Sequence, residues 1–137
     1  MDKVLNYLSL ARKAGLAELG EEPVGAIART GKAYVIIVAS DASDHTWRRA
    51  KSYAAGTQQQ CVRIPQTKDA MGFAIGRQEL AIAAITDPAM ALALVQSLPE
   101  PAKYADAIAV LQDKAKRQKQ RKKEAQAHKK NVRFGKK

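Results

Sequence analysis

The segment Tyr34-Val35-Ile36-Ile37-Val38 limits what this chain can fold into more than any other. Five apolar positions in a row, four of them β-branched, leave no face for water. The run therefore reads as a strand covered on both sides, not as a half-exposed strand of alternating pattern. Such a strand needs helices above and below it, and the flanking sequence supplies them. Asp2 to Ala14 carries Val4, Leu5, Leu8 and Ala11 at three- and four-residue steps, an amphipathic helix ended by Gly15. Leu16 to Leu19 is a short extended piece. Gly20-Glu21-Glu22-Pro23 opens a second helix with Val24, Ile27 and Ala28 as its apolar stripe and Gly31 as its stop. After the central strand, Ser43 or Asp44 caps a helix reaching about Ala55. Cys61 to Pro65 is the next strand, Thr67 caps a short helix through Ala74, and Ala81 to Ile85 is a further apolar strand. Thr86-Asp87-Pro88 starts the helix that ends before Leu98-Pro99-Glu100-Pro101. Helix and strand in turn, joined by short links, predict an α/β sandwich with helices on both faces.

Charge divides the chain in a different way. The net charge is +11, from 24 Lys and Arg against 13 Asp and Glu, and it is not spread evenly. Twelve of the basic residues and only two acidic ones lie from Gln112 onward, so the preceding body is close to neutral. Tyr104, Ile108 and Leu111 are spaced to hold one more helix against that body. Beyond about Ala115 the apolar positions run out, and the stretch to Lys130 is expected to be frayed when free and helical only on an anionic surface. Lys116, Arg117, Lys119, Arg121, Lys122, Lys123, Lys129, Lys130 and Arg133 are its candidate phosphate contacts. Side chains at this density bind polyanions by releasing condensed counterions, without reading sequence. An anionic membrane is the weaker partner, because only Val132 and Phe134 are available to enter lipid. RNA or a ribonucleoprotein fits better.

The usual chemistries are hard to assemble. Cys61 stands alone, which excludes a disulfide framework and a cysteine-based zinc site. The start of the chain lacks the apolar stretch of a signal peptide, and no run approaches a membrane span, so a cytoplasmic protein is expected. His45 and His128 have no evident partner, and Gly31-Lys32 lacks the glycine spacing and the Ser/Thr of a phosphate loop. Gly15, Gly20 and Gly25 read as punctuation between elements. Asp41 is either a catalytic acid at a strand end or a side chain satisfying N–H groups of its own turn. Trp47, beside Arg48, Arg49 and Lys51, is either a base-stacking platform or a ring covering the sheet. No catalytic residue, no metal and no cofactor are expected.

Three ordered stretches are more specific: LSLARKAG, LGEEPVGAIARTGKAYVIIVASDAS and AMGFAIGRQELAIAAITDPAMA. They resemble the L-seven-Ae/L-thirty-e ribosomal protein family, in particular its small bacterial YlxQ-like members, over about Met1 to Leu98. The resemblance implies a three-layer α/β/α sandwich for residues 1–98 and leaves unaccounted for residues 99–137, which their own pattern makes a helix running into a lysine- and arginine-rich tail. For many members it also implies binding to kink-turn-like or ribosomal RNA; a monomer that meets the ribosome is the expected setting.

In kink-turn binders of the family, one RNA-reading surface is the loop and helix start that correspond to Gly20 through Ala26. Gly20 keeps the glycine that lets a backbone approach closely. The usual Asn, Glu and Lys contacts fall on Glu22, Pro23 and Ala26, a triple departure. Glu22 can only accept hydrogen bonds, which suits the donor edge of guanine. Glu21 and Glu22 at a helix start are also favoured by the helix dipole without any ligand. The second surface implied by the resemblance is the loop Gly76-Arg77-Gln78-Glu79-Leu80, with Ile82 just beyond it; Lys68 matches a backbone-directed cation, and Arg12, Lys13 and Arg29 are nearby candidates. Losing the kink-turn contacts would leave the alternative of a ribosome-associated module that binds proteins.

Overall fold

The computed structural model describes residues 2–134, and side chains as far as residue 128. Along it run α1 (Lys3–Lys13), β1 (Ala17–Leu19), α2 (Glu21–Arg29), β2 (Val35–Val38), α3 (Asp44–Ala54), β3 (Gln60–Arg63), α4 (Lys68–Ala74), β4 (Ile82–Ile85), α5 (Pro88–Gln96) and α6 (Ala105–Phe134), with a 3₁₀ turn over Pro101–Tyr104. Helices begin where a side chain can take up an orphan N–H. Asp2, Ser43, Thr67 and Asp87 each accept from the backbone N–H three residues on, at Leu5, Thr46, Ala70 and Met90. Ser43, not Asp44, is thus the cap of α3.

The strands form one sheet in the order β1-β4-β2-β3. β4 runs antiparallel to both β1 and β2, pairing Leu19 with Ala83 on one side and Val38 with Ile82 on the other. β2 and β3 are parallel, Val35 opposite Gln60 and Val38 opposite Arg63. Every residue of β2 and β4 is buried, as the unbroken apolar runs require. Helices α1, α4 and α5 pack together on one face, α2 and α3 on the other, giving the three-layer α/β/α sandwich. β3 stops at Arg63, earlier than expected, because Pro65 cannot donate to the ladder; Ile64 N–H still reaches Val38 O at 2.9 Å.

This topology gives the sheet two unlike ends. At one, the C-terminal ends of β1, β2 and β3 meet the start of β4; we call it the Gly20 end. At the other, the starts of β2 and β3 meet the close of β4; we call it the Tyr34 end. Gln59, the buried polar residue of the core, pins two loops together at the Tyr34 end. Its Oε1 accepts from Ala33 N–H at 2.9 Å and its Nε2 donates to Ala28 O at 3.2 Å.

The C-terminal part departs from expectation. The chain does not fray after Ala115: α6 is one helix of 30 residues, about 45 Å at 1.5 Å per residue. It packs antiparallel to α5 and passes β3 from the Gly20 end toward the Tyr34 end, with Ala107 and Leu111 buried. Strong helix formers and pairs one turn apart support its exposed part: Asp113 with Arg117 at 3.1 Å, and Gln120 Nε2 donating to Glu124 at 3.2 Å. Gln118 Nε2 also donates to Asp87 at 2.9 Å, a tie back to the body. Among the described residues no helix is long and apolar enough to cross a membrane.

Leu111 is fully buried, so Leu111→Ala should lower the unfolding free energy in urea by about 2–5 kcal/mol. Exposed Lys119→Ala on the same helix should change it by less than about 0.5 kcal/mol. Burial pushes the half-buried Cys61 thiol up to about 12 from 9.0, with the charge of Lys51 acting the other way. The folded thiol stays protonated where an unfolded one ionises. Stability from this source is complete below about pH 9 and lost as pH rises toward 12. A thiol reagent at pH 8 should label Cys61 more slowly in the folded protein than in urea; equal rates would contradict this burial.

Candidate nucleic-acid interface

The Gly20 end is assembled by backbone hydrogen bonds to three consecutive residues at the start of β4. Leu80 N–H donates to Lys68 O at 3.0 Å, Ala81 O accepts from Ala39 N–H at 2.9 Å, and Ile82 O accepts from Gly20 N–H at 3.0 Å. Two further bonds close the ring. Lys68 N–H donates to Asp41 Oδ1 at 2.8 Å, and Ser40 N–H donates to Gln66 O at 2.9 Å. Asp41 therefore satisfies a backbone N–H, but at the start of α4 and not in its own turn.

Each loop has a local reason for its shape. Gly20 has φ 97° and ψ 163°, a conformation L side chains rarely adopt, and it leads into α2 with no side-chain cap. Glu21 and Glu22 occupy the first turn, where the helix dipole favours them. Their surroundings differ. Glu22 is exposed, whereas Glu21 is half-buried with Oε1 enclosed and without a partner among the described residues. Arg49 on α3 is held above its usual basicity, first by the hydrogen bond to Tyr53 Oη at 3.3 Å and then by the charges of Tyr53 and Glu21. Glu21 thus serves the α2–α3 face, and Glu22 is the carboxylate that faces solvent.

The loop from Gly76 to Leu80 lies directly on α4. A Cβ added at Gly72 would sit 2.5 Å from Glu79 Cα and 2.9 Å from Gln78 C, so only glycine allows the loop this approach. Arg77 N–H donates to Gly72 O at 2.9 Å, which fixes where the Arg77 side chain leaves the surface. Sequence reasoning did not single out Gly72; a glycine inside a helical apolar pattern was the available signal. Gly25 is likewise not punctuation but the middle of α2, where an added Cβ would meet Tyr53 Oη at 3.0 Å.

Gly20, Glu22, Lys68, Gly76, Arg77 and Gln78 therefore meet at one end, and Arg77, Gln78 and Glu22 are exposed there. Other candidates do not join them. Ile82 is 1% exposed, and it contributes its carbonyl to the assembly while its side chain belongs to the core. Arg12, Lys13 and Arg29 close α1 and α2 at the opposite end of the sheet, because each helix runs away from the Gly20 end. Lys116, Arg117, Lys119, Arg121, Lys122 and Lys123 are exposed along α6; the side chains of Lys129, Lys130 and Arg133 lie outside the described residues. Trp47 packs on the body with Lys51 and Arg63 each 5.2 Å from its ring centroid, a ring already engaged by two cations. Among the described residues, no group of three or more His, Cys, Asp or Glu is placed to hold a metal.

The charge of the Gly20 end runs against expectation for a polyanion site. Lys3, Arg49, Arg63, Lys68 and Arg77 are its cations, and Asp2, Glu21, Glu22, Asp41, Asp44, Asp69 and Glu79 stand on the same loops and helix starts. The Tyr34 end carries the reverse, with Arg12, Lys13, Arg29 and Lys32 beside the cations of α6.

No family profile and no curated protein matches the sequence. Solved structures do. A protein of unknown function from Bacillus halodurans is similar over 70% of this chain and 96% of its own, with 26% identity and a TM-score of 0.65. The Giardia lamblia 15.5kD RNA binding protein is similar over 75% of this chain and 85% of its own, with 19% identity and a TM-score of 0.61. With the four-stranded mixed sheet between two helical layers, this likeness gives the chain the L-seven-Ae-like α/β/α fold.

Gly72→Ala should displace the Arg77–Glu79 backbone and cost about 1–3 kcal/mol, since the new methyl meets main chain and not a movable side-chain tip. Amide shifts confined to residues 76–80 and the start of β4 would report it. An unchanged spectrum with gained helix stability would show that the loop is not seated on α4.

Proposed function

We propose that this chain is an RNA-binding protein of the ribosomal L-seven-Ae/L-thirty-e type, close to the small bacterial YlxQ-like members, acting in the cytoplasm on kink-turn-like or ribosomal RNA. The observation that carries this reading is α6: a cationic helix held in fixed register on the body through Leu111 and the Gln118–Asp87 bond. A polyelectrolyte partner is the ligand such an array suits, because each neutralised phosphate releases counterion. Support for RNA comes also from the fold, shared with a protein described as RNA binding.

In this reading the two parts divide the work. The Gly20 end reads shape: Gly20 allows close approach of a nucleotide, Glu22 accepts from a guanine edge, and Arg77 and Gln78 donate to phosphate or to an unpaired base. With its surplus of carboxylates this end contributes selectivity more than attraction, because misplaced phosphates are repelled. The attraction comes from Lys116, Arg117, Lys119, Arg121, Lys122 and Lys123.

A specific observation favours a second reading. The acidic surplus of the Gly20 end, together with exposed Pro23 and Ala26, leaves that surface poor in cations and suited to a basic protein segment on the ribosome.

Titration of the full chain with a kinked RNA and a straight duplex of equal length separates the two. The RNA reading predicts preference for the kink that persists from about 50 to 200 mM salt while total affinity falls roughly a thousandfold, as for about six phosphates. Arg77→Ala should abolish the preference, and glutamine at Lys116, Lys119, Lys122 and Lys123 should weaken both RNAs alike. Equal binding of both RNAs would contradict shape reading and favour the protein-interaction module. In that event Glu22→Asn, Pro23→Glu and Ala26→Lys together should create a kink preference that was absent.

A further inference from the structure

At the Tyr34 end, α6 and two loops enclose an open cleft of about 380 Å³. Its walls are Gly31 and Tyr34 from the α2–β2 connection, Thr57 and Gln58 from the α3–β3 connection, and Lys114 and Arg121 from α6. Nothing in the shape-reading edge uses this place, which lies across the length of the sheet from Gly20 and Arg77.

The cleft is preformed. Gln59 is nine-tenths buried and joins its two loops through Ala33 N–H and Ala28 O, and Thr57 Oγ1 accepts from Gln59 N–H at 3.0 Å. The third wall is clamped where Gln118 Nε2 donates to Asp87. Within these fixed walls, the Tyr34 hydroxyl and the Gln58 side-chain amide make no hydrogen bond among the described residues. No acidic side chain lines the space among the described residues either, and Arg29 and Lys32 lie on the adjoining helix end and loop. Fixed walls, uncommitted donors and uncompensated cations together describe a site for an anion.

The spacing says which kind. Lys114 and Arg121 are seven residues apart, on one face of α6 and about 10 Å apart along its axis. That spacing suits successive phosphates of a strand, each met by one cation, better than a single phosphate held by both. The cleft is open to solvent, so a chain can enter and continue. We propose that this cleft is a second RNA contact, which takes the phosphodiester backbone of a single-stranded stretch while the Gly20 end holds the kinked part. The proposal rests on the reading that the chain binds RNA, and it makes the protein a two-ended clamp instead of a body with a trailing tail.

The test uses the full chain, labelled with nitrogen-15 and titrated with a short oligouridylate that has no kink. The amides of Gly31 and Gln58 should shift, and the shifts should be lost in Lys114→Gln/Arg121→Gln. The charge-matched Lys3→Gln/Lys103→Gln variant, at exposed positions away from the cleft, should retain them. The first variant should also lower the slope of log affinity against log salt by about 1.4, two phosphates at roughly 0.7 each on a single strand. The same spectra show that each variant is folded. Amides of Gly31 and Gln58 that stay in place, or that shift equally in Lys114→Gln/Arg121→Gln, would overturn the site. Inorganic phosphate shifting them as far at equal ionic strength would overturn the strand in favour of a single-phosphate ligand. Arg77→Ala should leave these shifts intact, so failure of kink recognition at the Gly20 end and failure of this cleft give different results.

Discussion

Three successive backbone groups at the start of β4 hold together everything that gives this chain a working surface. Leu80 N–H, Ala81 O and Ile82 O reach Lys68, Ala39 and Gly20, residues far apart in the chain. Because β4 lies between β1 and β2 and antiparallel to both, its first residues are the place where the loops after those strands converge. The sheet order thus makes the site. A slip of one residue in β4 would turn its apolar side chains to the wrong layer and separate Gly20 from Lys68 at once. Since β4 is buried on both faces, such a slip costs core packing throughout, and the site inherits the rigidity of the core.

The same topology sorts charge. The starts of α1 to α4 and the loops beside them collect carboxylates at the Gly20 end, where caps and first-turn acids are favoured, and the ends of α1 and α2 put Arg12, Lys13 and Arg29 at the Tyr34 end; α5 runs the other way, with its Asp87 cap at the Tyr34 end. Rules of helix stability alone therefore polarise the body. α6 runs from the first end to the second and adds its exposed cations to the second. In the proposed function, a polyanion is drawn first to the Tyr34 end and α6, then tested by a less attractive edge that only well-placed donors satisfy. That separation of attraction from selection is the physical content of the functional reading.

Much of this was legible before any coordinates. The run from Tyr34 to Val38 fixed the class of fold, because an unbroken apolar strand demands two helical layers, and Ser43 or Asp44, Thr67 and the Thr86-Asp87-Pro88 turn marked where those helices begin. What sequence could not show was direction. Arg29 looks near Gly20 when counted along the chain, yet nine residues of helix carry it to the other end of the sheet. Ile82 stands beside the Arg77 loop in sequence, but β4 is covered on both faces and its side chain belongs to the core. Gly72 carried its meaning only once Glu79 was seen against it. The helix beyond Ala115 was misread because its stability rests on pairs and on one tertiary bond to Asp87, and not on an apolar stripe.

The central claim is that RNA meets this chain at two separate places, one selective and one cationic. Ultraviolet crosslinking of the full chain to a kinked RNA with a single-stranded extension, followed by mass spectrometry of the linked peptides, tests it most directly. The account predicts two groups of crosslinks, one within Gly76–Leu80 and the Gly20 loop and one within Tyr34, Gln58 and α6, joined to different parts of the RNA. Crosslinks confined to α6, and indifferent to the kink, would contradict it.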